Sequence, residues 1–363
     1  MPIEIESPEQ MGYASIKYNL TESSMNDVLF KDLKFDLKKL VLSYGDHFGK
    51  SELRKKIASE TDSLNADNVL LTASAAAALF IVNTSLLEKN DHLIVVRPNY
   101  ATNIETPRAM DCDIDFIDLS IKDEFKLDIE KLKNLIRPNT KLISLTTPHN
   151  PTGTMLSEEE LKEIIKIAEE KNIFLLVDET YREMSFVKPP PLAASMGKNV
   201  ISVSSVSKTY GLPGIRIGWI ICRDEKLMEN FLAAKEQIFI CNSVVDEEIA
   251  FLFLKEKEKH LAKAHKRIRE NYETLKDWLS KLDYLDHVLP QGGVVCFPRI
   301  KSVIDIEKFY KILNDKYSTY VGPGHWFEMD KHYFRIGFGW PEEKDLDQGL
   351  KNITKAYYET VSN

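Results

Sequence analysis

Between about Asn68 and Cys222 the chain alternates short, uninterrupted runs of apolar and β-branched residues with stretches of helical periodicity, an order that few folds accept. The runs fall at 69–72, 92–96, 142–146, 174–177, 200–204 and 217–222. They are continuous rather than alternating, so they read as strands covered on both faces, which calls for a mostly parallel sheet with helices on either side. At 363 residues the chain also exceeds the length at which one core usually stops growing. After Asn242 the pattern changes to a long helix over 246–282, then short strands over 293–298 and 333–338 with a helix between. The first 40 residues show no strong period and are expected to wrap back onto this second part. The sequence therefore predicts an α/β domain over 45–245 and a smaller, discontinuous α+β domain made of 1–44 and 246–363.

A net charge of −8 would repel a polyanion, so nucleic acid is not an expected partner. The basic stretch 263–269 lies among acidic segments and reads as the solvated face of a helix. Cys112, Cys222, Cys241 and Cys296 are far apart and form no Cys-x-x-Cys pair, which suggests neither a disulfide framework nor a metal site and fits a reducing cytoplasm. No run of 18 apolar residues is present, and residues 1–10 lack the basic-then-apolar pattern of a signal peptide, so no membrane association is expected.

Three segments carry chemistry. The first is 205–219, SVSKTYGLPGIRIGW, which follows a buried strand and holds one lysine among small residues. Burial and neighbouring cations lower an amine's pKa, as a nucleophilic lysine requires, which singles out Lys208. Arg216 can return across the turn to grip a phosphate together with Ser205 and Ser207. The second is 72–79, TASAAAAL, where a strand gives way to a helix, so that backbone N–H groups at Ser74, Ala75 and Ala76 offer an anion site. The third is 148–153, PHNPTG, a turn at the carboxyl end of a strand, the edge on which open α/β sheets bind ligands. Ser157 followed by Glu160 is a capping box that starts the next helix, with Leu161, Ile164, Ile165 and Ala168 on one face.

Taken in order, these segments resemble the class I/II aminotransferases, a group of fold-type I enzymes that use pyridoxal 5′-phosphate (PLP), and the resemblance covers roughly 44–339. It implies a fold-type I α/β transferase in which Lys208 holds PLP as a Schiff base. The resemblance implies that Asp178, in the segment Asp178-Glu179-Thr180-Tyr181, keeps the pyridine nitrogen protonated. Tyr181 and Asn150 would meet the ring's phenolate oxygen, Asn150 also touching the substrate carboxylate. Ser74, Ala75, Ala76, Ser205, Ser207 and Arg216 would hold the phosphate; Tyr100 would stack on the ring; Arg335 in Phe334-Arg335-Ile336-Gly337 would bind the substrate's α-carboxylate. Tyr44 would reach the partner's cofactor phosphate, which makes a homodimer with shared active sites. The substrates implied are an L-amino acid and a 2-oxo acid.

The chain departs from common relatives at 18–24, YNLTESS, where many have a glycine-rich segment. Glu22 there is expected to face the entrance and favour a cationic side chain, and His325 and Trp326 to shape the pocket. The motifs bind cofactor and carboxylate without choosing which bond breaks, so a PLP-dependent lyase, decarboxylase or cyclising enzyme stays open beside transamination. A non-catalytic PLP-binding sensor is a third reading, disfavoured by the presence of Lys208, Asp178, Asn150 and Arg335 together.

Overall fold

The computed structural model describes residues 6–13, 16–33 and 35–362. A short strand, β1 (Tyr18–Leu20), precedes the large sheet formed by β2 (Val69–Thr72), β3 (His92–Arg97), β4 (Asp113–Asp118), β5 (Thr140–Thr146), β6 (Phe174–Asp178), β7 (Val200–Ser205) and β8 (Gly218–Cys222). Their spatial order is β2-β8-β7-β6-β5-β3-β4. Strands β3 to β7 pair in parallel, whereas β8 runs antiparallel to both β2 and β7. All six predicted strands are present within one or two residues of the expected ends. Their residues are almost wholly buried, as the continuous apolar runs require, and the fold is a mostly parallel α/β sheet flanked by helices.

The sequence reading missed β4. It lies at the sheet edge, pairs among the described residues with β3 alone, and carries Asp113, Asp115 and Asp118, so it has no continuous apolar run to detect. Acidic side chains on an edge strand discourage pairing with another chain. Arg137 donates to Asp115 Oδ2 at 2.7 Å and also binds Asp113.

The later part of the chain corrects two expectations. The single helix over 246–282 is two, Val244–Lys255 and Lys257–Ser280, separated by Glu256 at φ −118°, ψ 26°. The strand over 293–298 shortens to β10 (Val295–Cys296), and a strand not anticipated, β12 (Thr319–Pro323), lies between it and β13 (Phe334–Gly337) in the sequence. With β1 these form a second sheet, β1-β12-β13-β10, in which Tyr18 to Leu20 pair in parallel with Thr319 to Val321. The amino-terminal segment thus joins structure built from the carboxyl-terminal third. Residues 1–5, 14, 15 and 34, part of the stretch expected to wrap back, lie outside the described residues. A two-stranded ribbon pairs β9 (Leu285–Asp286) with β11 (Arg299–Ile300).

The capping box is formed as expected. Ser157 Oγ accepts from the Glu160 N–H at 3.2 Å, and the Ser157 N–H donates to Glu160 Oε2 at 2.8 Å. The helix Glu158–Glu170 buries Leu161, Ile164, Ile165 and Ala168 against the sheet, which fixes the far end of the Pro148 to Gly153 turn. That turn depends on Gly153. Its φ is +74°, and an added Cβ would lie 2.7 Å from Pro290 Cβ and 2.8 Å from the Val295 carbonyl oxygen. Gly153→Ala is therefore expected to destabilise the protein by about 1–3 kcal/mol, read as a lower midpoint in urea denaturation.

Under the sheet, Glu179 is buried and accepts from Ser202 Oγ at 2.5 Å and from the Ala193 N–H at 3.2 Å. Burial pushes its carboxyl up to about 7, against the pull of Ser202 and Arg182. The folded state thus keeps a proton that the unfolded chain releases above about pH 4.5, so this group's contribution to stability falls as pH rises from there to about 7. Over that window wild type should lose roughly 3 kcal/mol more than Glu179→Gln, measured by urea denaturation of both proteins at pH 5 and 7.5.

Candidate active site

At the carboxyl ends of β5, β6 and β7 the chain leaves the sheet three times, and the residues at those exits face one cavity of about 440 Å³. Its wall brings together Lys208, Asp178, Tyr181, Asn150, Arg335, Arg216, Ser74, Ala75, Ala76, Tyr100, Ser205, Ser207 and Glu22, with Trp326 also at the wall. A larger hollow of about 830 Å³ lies between Leu119 to Leu127 and His287 to Gln291, and among the described residues its wall has no arginine and none of those thirteen. Convergent charge on the sheet's ligand-binding edge, rather than size, marks the first as the functional one.

Each side chain is held by its local structure. Asp178 ends β6 and is buried; its Oδ1 accepts from the Thr180 N–H at 3.0 Å and from Thr180 Oγ1 at 2.6 Å. Burial raises its pKa while the Thr180 bonds oppose the shift. Among the described residues no lysine or arginine is hydrogen-bonded to it, so this buried carboxylate is placed to receive a cation from a ligand. Tyr181 is buried three residues on, and burial, the largest influence on it, holds its hydroxyl in the neutral, donating form.

Lys208 follows β7 within a turn whose backbone is tied to the amino-terminal segment, the Met25 N–H donating to the Lys208 carbonyl at 3.2 Å. Its amine pKa is lowered, chiefly by burial; Arg335 and Arg216 act in the same direction, and Glu22 and Glu9 oppose them. Arg216 is exposed at the cavity wall, donating to the Pro213 carbonyl at 2.6 Å and more weakly to Ser207 Oγ at 3.4 Å. The Ser205 hydroxyl accepts from the Ser207 N–H at 3.3 Å.

Opposite these residues, the helix Ala75–Leu86 points its amino terminus at the cavity. Ser74 Oγ caps the Ala77 N–H at 3.0 Å, which leaves the N–H groups of Ala75 and Ala76 for a ligand. Gly218 makes this approach possible, since a Cβ there would lie 2.3 Å from the Ser74 carbonyl carbon. Arg335 is buried on β13, with its guanidinium 4.8 Å from the centre of the Phe327 ring. It donates to Asn150 Oδ1 at 2.9 Å and to the Thr21 carbonyl at 2.6 Å.

Sequence reasoning missed the amino-terminal roof. Ser7, Pro8, Glu9 and Tyr13 line the cavity, and Tyr13 OH donates to Glu22 Oε1 at 2.9 Å. No local motif marks residues that act only by returning across the fold. One residue expected to serve a partner's site is on the surface, and one expected at this wall lies elsewhere. Tyr44 is 82% exposed and not at the cavity, and His325 is outside its wall, its Nε2 placed 2.7 Å from Glu6 Oε2, so the expectation that it shapes the pocket is corrected.

The cavity fits PLP by the chemistry of its donors. A helix amino terminus, two serines and an arginine suit a phosphate, a buried carboxylate without a cation suits a pyridinium, and an amine of lowered pKa suits the aldehyde. The comparisons agree. A family model for "Aminotransferase class I and II" matches residues 16–353. An aspartate aminotransferase of Pyrococcus horikoshii is 28% identical over 301 residues, covering 81% of this chain and 76% of that protein. Capreomycidine synthase of Streptomyces vinaceus is 23% identical over 355 residues, covering 94% of this chain and 90% of that one. A crystal structure of a PLP-dependent aminotransferase from Streptococcus suis superposes with a TM-score of 0.90 at 28% identity, covering 96% of this chain and 95% of that one.

Proposed function

The chain belongs to the class I and II aminotransferase family, whose cofactor is PLP, and from that premise we propose that it moves the amino group of an L-amino acid to a 2-oxo acid. The observation that carries this reading is the convergence of Lys208, Asp178, Asn150 and Arg335 on one cavity wall.

Held at Lys208, PLP would supply an electron sink for the substrate's Cα and a carrier for the amino group. Ser74, Ala75, Ala76, Ser205, Ser207 and Arg216 would hold its phosphate, Asp178 its ring nitrogen, Asn150 and Tyr181 its phenolate oxygen, and Tyr100 the ring face. Arg335 binds the substrate's α-carboxylate as a rigid fork, and Asn150, already hydrogen-bonded to it, fixes its plane. The Lys208 Nζ takes the proton from the substrate's Cα, a task its lowered pKa suits by keeping more of the amine neutral at working pH. Ser7 and Pro8, both buried, form part of the wall around the reacting atoms.

The same reading divides the chain into 45–245 and a discontinuous 1–44 with 246–363, a division supported by the pairing of β1 with β12. It places the protein in the cytoplasm as a homodimer. Four unpaired cysteines support the first, and the exposed side chains of Val41, Leu42 and Tyr44 the second, with Tyr44 meeting the partner's phosphate site. Among the described residues no helix is long and apolar enough to cross a membrane.

A second reading, a PLP-dependent lyase, decarboxylase or cyclising enzyme, is favoured by the likeness to a protein named as a synthase. A 15N-labelled amino acid given with an unlabelled 2-oxo acid separates the two. Label in a new amino acid is the expected result; free ammonia, carbon dioxide or a cyclised product without transferred label overturns transamination.

A further inference from the structure

The proposed reaction assigns four of the six charged side chains recorded at the cavity wall: Lys208 and Arg216 to the cofactor, Asp178 to its ring nitrogen, Arg335 to the α-carboxylate. Among the described residues of the wall, what remains is two carboxylates, Glu9 and Glu22, and no cation. Glu22 is only 9% exposed although it lies at the wall. Its Oε1 is satisfied by Tyr13 OH at 2.9 Å, and among the described residues its second oxygen accepts no hydrogen bond. The Lys208 ammonium is the cation that acts on it; with that amine committed to the cofactor, a carboxylate this buried calls for another. Tyr13 cannot supply it, because burial first, and then Glu22 itself, raise its hydroxyl pKa so that it stays a neutral donor. Two aromatic residues, Tyr13 and Trp326, stand at the cavity wall. Faces of this kind attract guanidinium and ammonium groups.

We propose that the substrate's side chain ends in a guanidinium or ammonium group, and that Glu22, positioned by Tyr13 and assisted by Glu9, reads that charge. The proposal rests on the amino-acid-acting reading above. It also sets this chain apart from the aspartate aminotransferase it resembles, since a second substrate carboxylate would meet two like charges and no free cation at the described wall.

L-arginine and L-citrulline differ in charge at nearly constant shape. The cofactor-loaded protein should show kcat/KM for arginine about tenfold or more above that for citrulline, and well above that for aspartate. In Glu22→Gln the arginine-to-citrulline ratio should fall to near one, with the loss carried by KM for arginine. Tyr13→Phe, which keeps the carboxylate and removes its donor, should shift the same ratio by less. Binding is read separately by calorimetric titration of arginine and citrulline into wild type and Glu22→Gln, and loading is checked by each protein's cofactor absorption. A wild type indifferent to charge, a preference for aspartate, or a ratio unchanged by Glu22→Gln overturns the proposal while leaving amino-group transfer intact. A loaded wild type whose absorption responds to no amino acid at all overturns the underlying reading, and this one with it.

Discussion

Lys208→Ala is expected to lower turnover by about 10³-fold or more while leaving the fold intact. Two functions of one amine are lost together: covalent attachment of the cofactor and removal of the Cα proton, the second alone typically worth about 10²–10⁴-fold. The side chain is a poor structural element, because a half-buried amine with a lowered pKa is held against its own solvation preference. The variant should therefore denature at an equal or higher urea concentration than wild type. A small diffusible amine added to the assay should restore part of the rate by supplying the missing base. A variant with near-wild-type turnover would remove Lys208 from the chemistry.

Asp178→Asn should lower kcat by about 10²–10³-fold with little change in the fold. Asparagine keeps the oxygen that accepts from the Thr180 N–H and hydroxyl, so the local turn survives. What disappears is the negative charge that would hold a proton on the pyridine nitrogen, and with it the ring's capacity to accept electrons from Cα. Because the loss falls on the chemical step, KM for the amino acid should move far less than kcat. The aspartate differs in this from Arg335, whose replacement by leucine would raise KM through the lost carboxylate contact. Stopped-flow single-turnover rates beside steady-state KM values separate the two cases. An Asp178→Asn enzyme with unchanged kcat would place the carboxylate in a purely structural turn.

Much of this architecture is legible in residues that are local in the chain. The runs at 174–177 and 200–204 announce buried parallel strands because both faces must be apolar, and the segment 205–219 announces the cavity because its lysine stands among small residues after such a strand. Where the signal is not local, sequence reasoning fails for identifiable reasons. Strand β4 hides because an edge strand with three aspartates has no apolar run. The break at Glu256 hides because no glycine or proline punctuates it. The roof of Ser7 to Tyr13 hides because its contacts with Glu22 and the cavity are set by the return of β1 to β12. Glu22 itself shows the boundary: its acidity is visible in the sequence, whereas its burial at 9% exposure, which gives that acidity force, is not.

Borohydride reduction of the PLP-loaded wild-type protein, followed by proteolysis and mass spectrometry, tests the central assignment most directly. A single peptide spanning Lys208 should carry the added pyridoxyl-phosphate mass, fixed on the lysine side chain. The same mass on another lysine, or a protein that remains unmodified and colourless with excess PLP, would contradict the account.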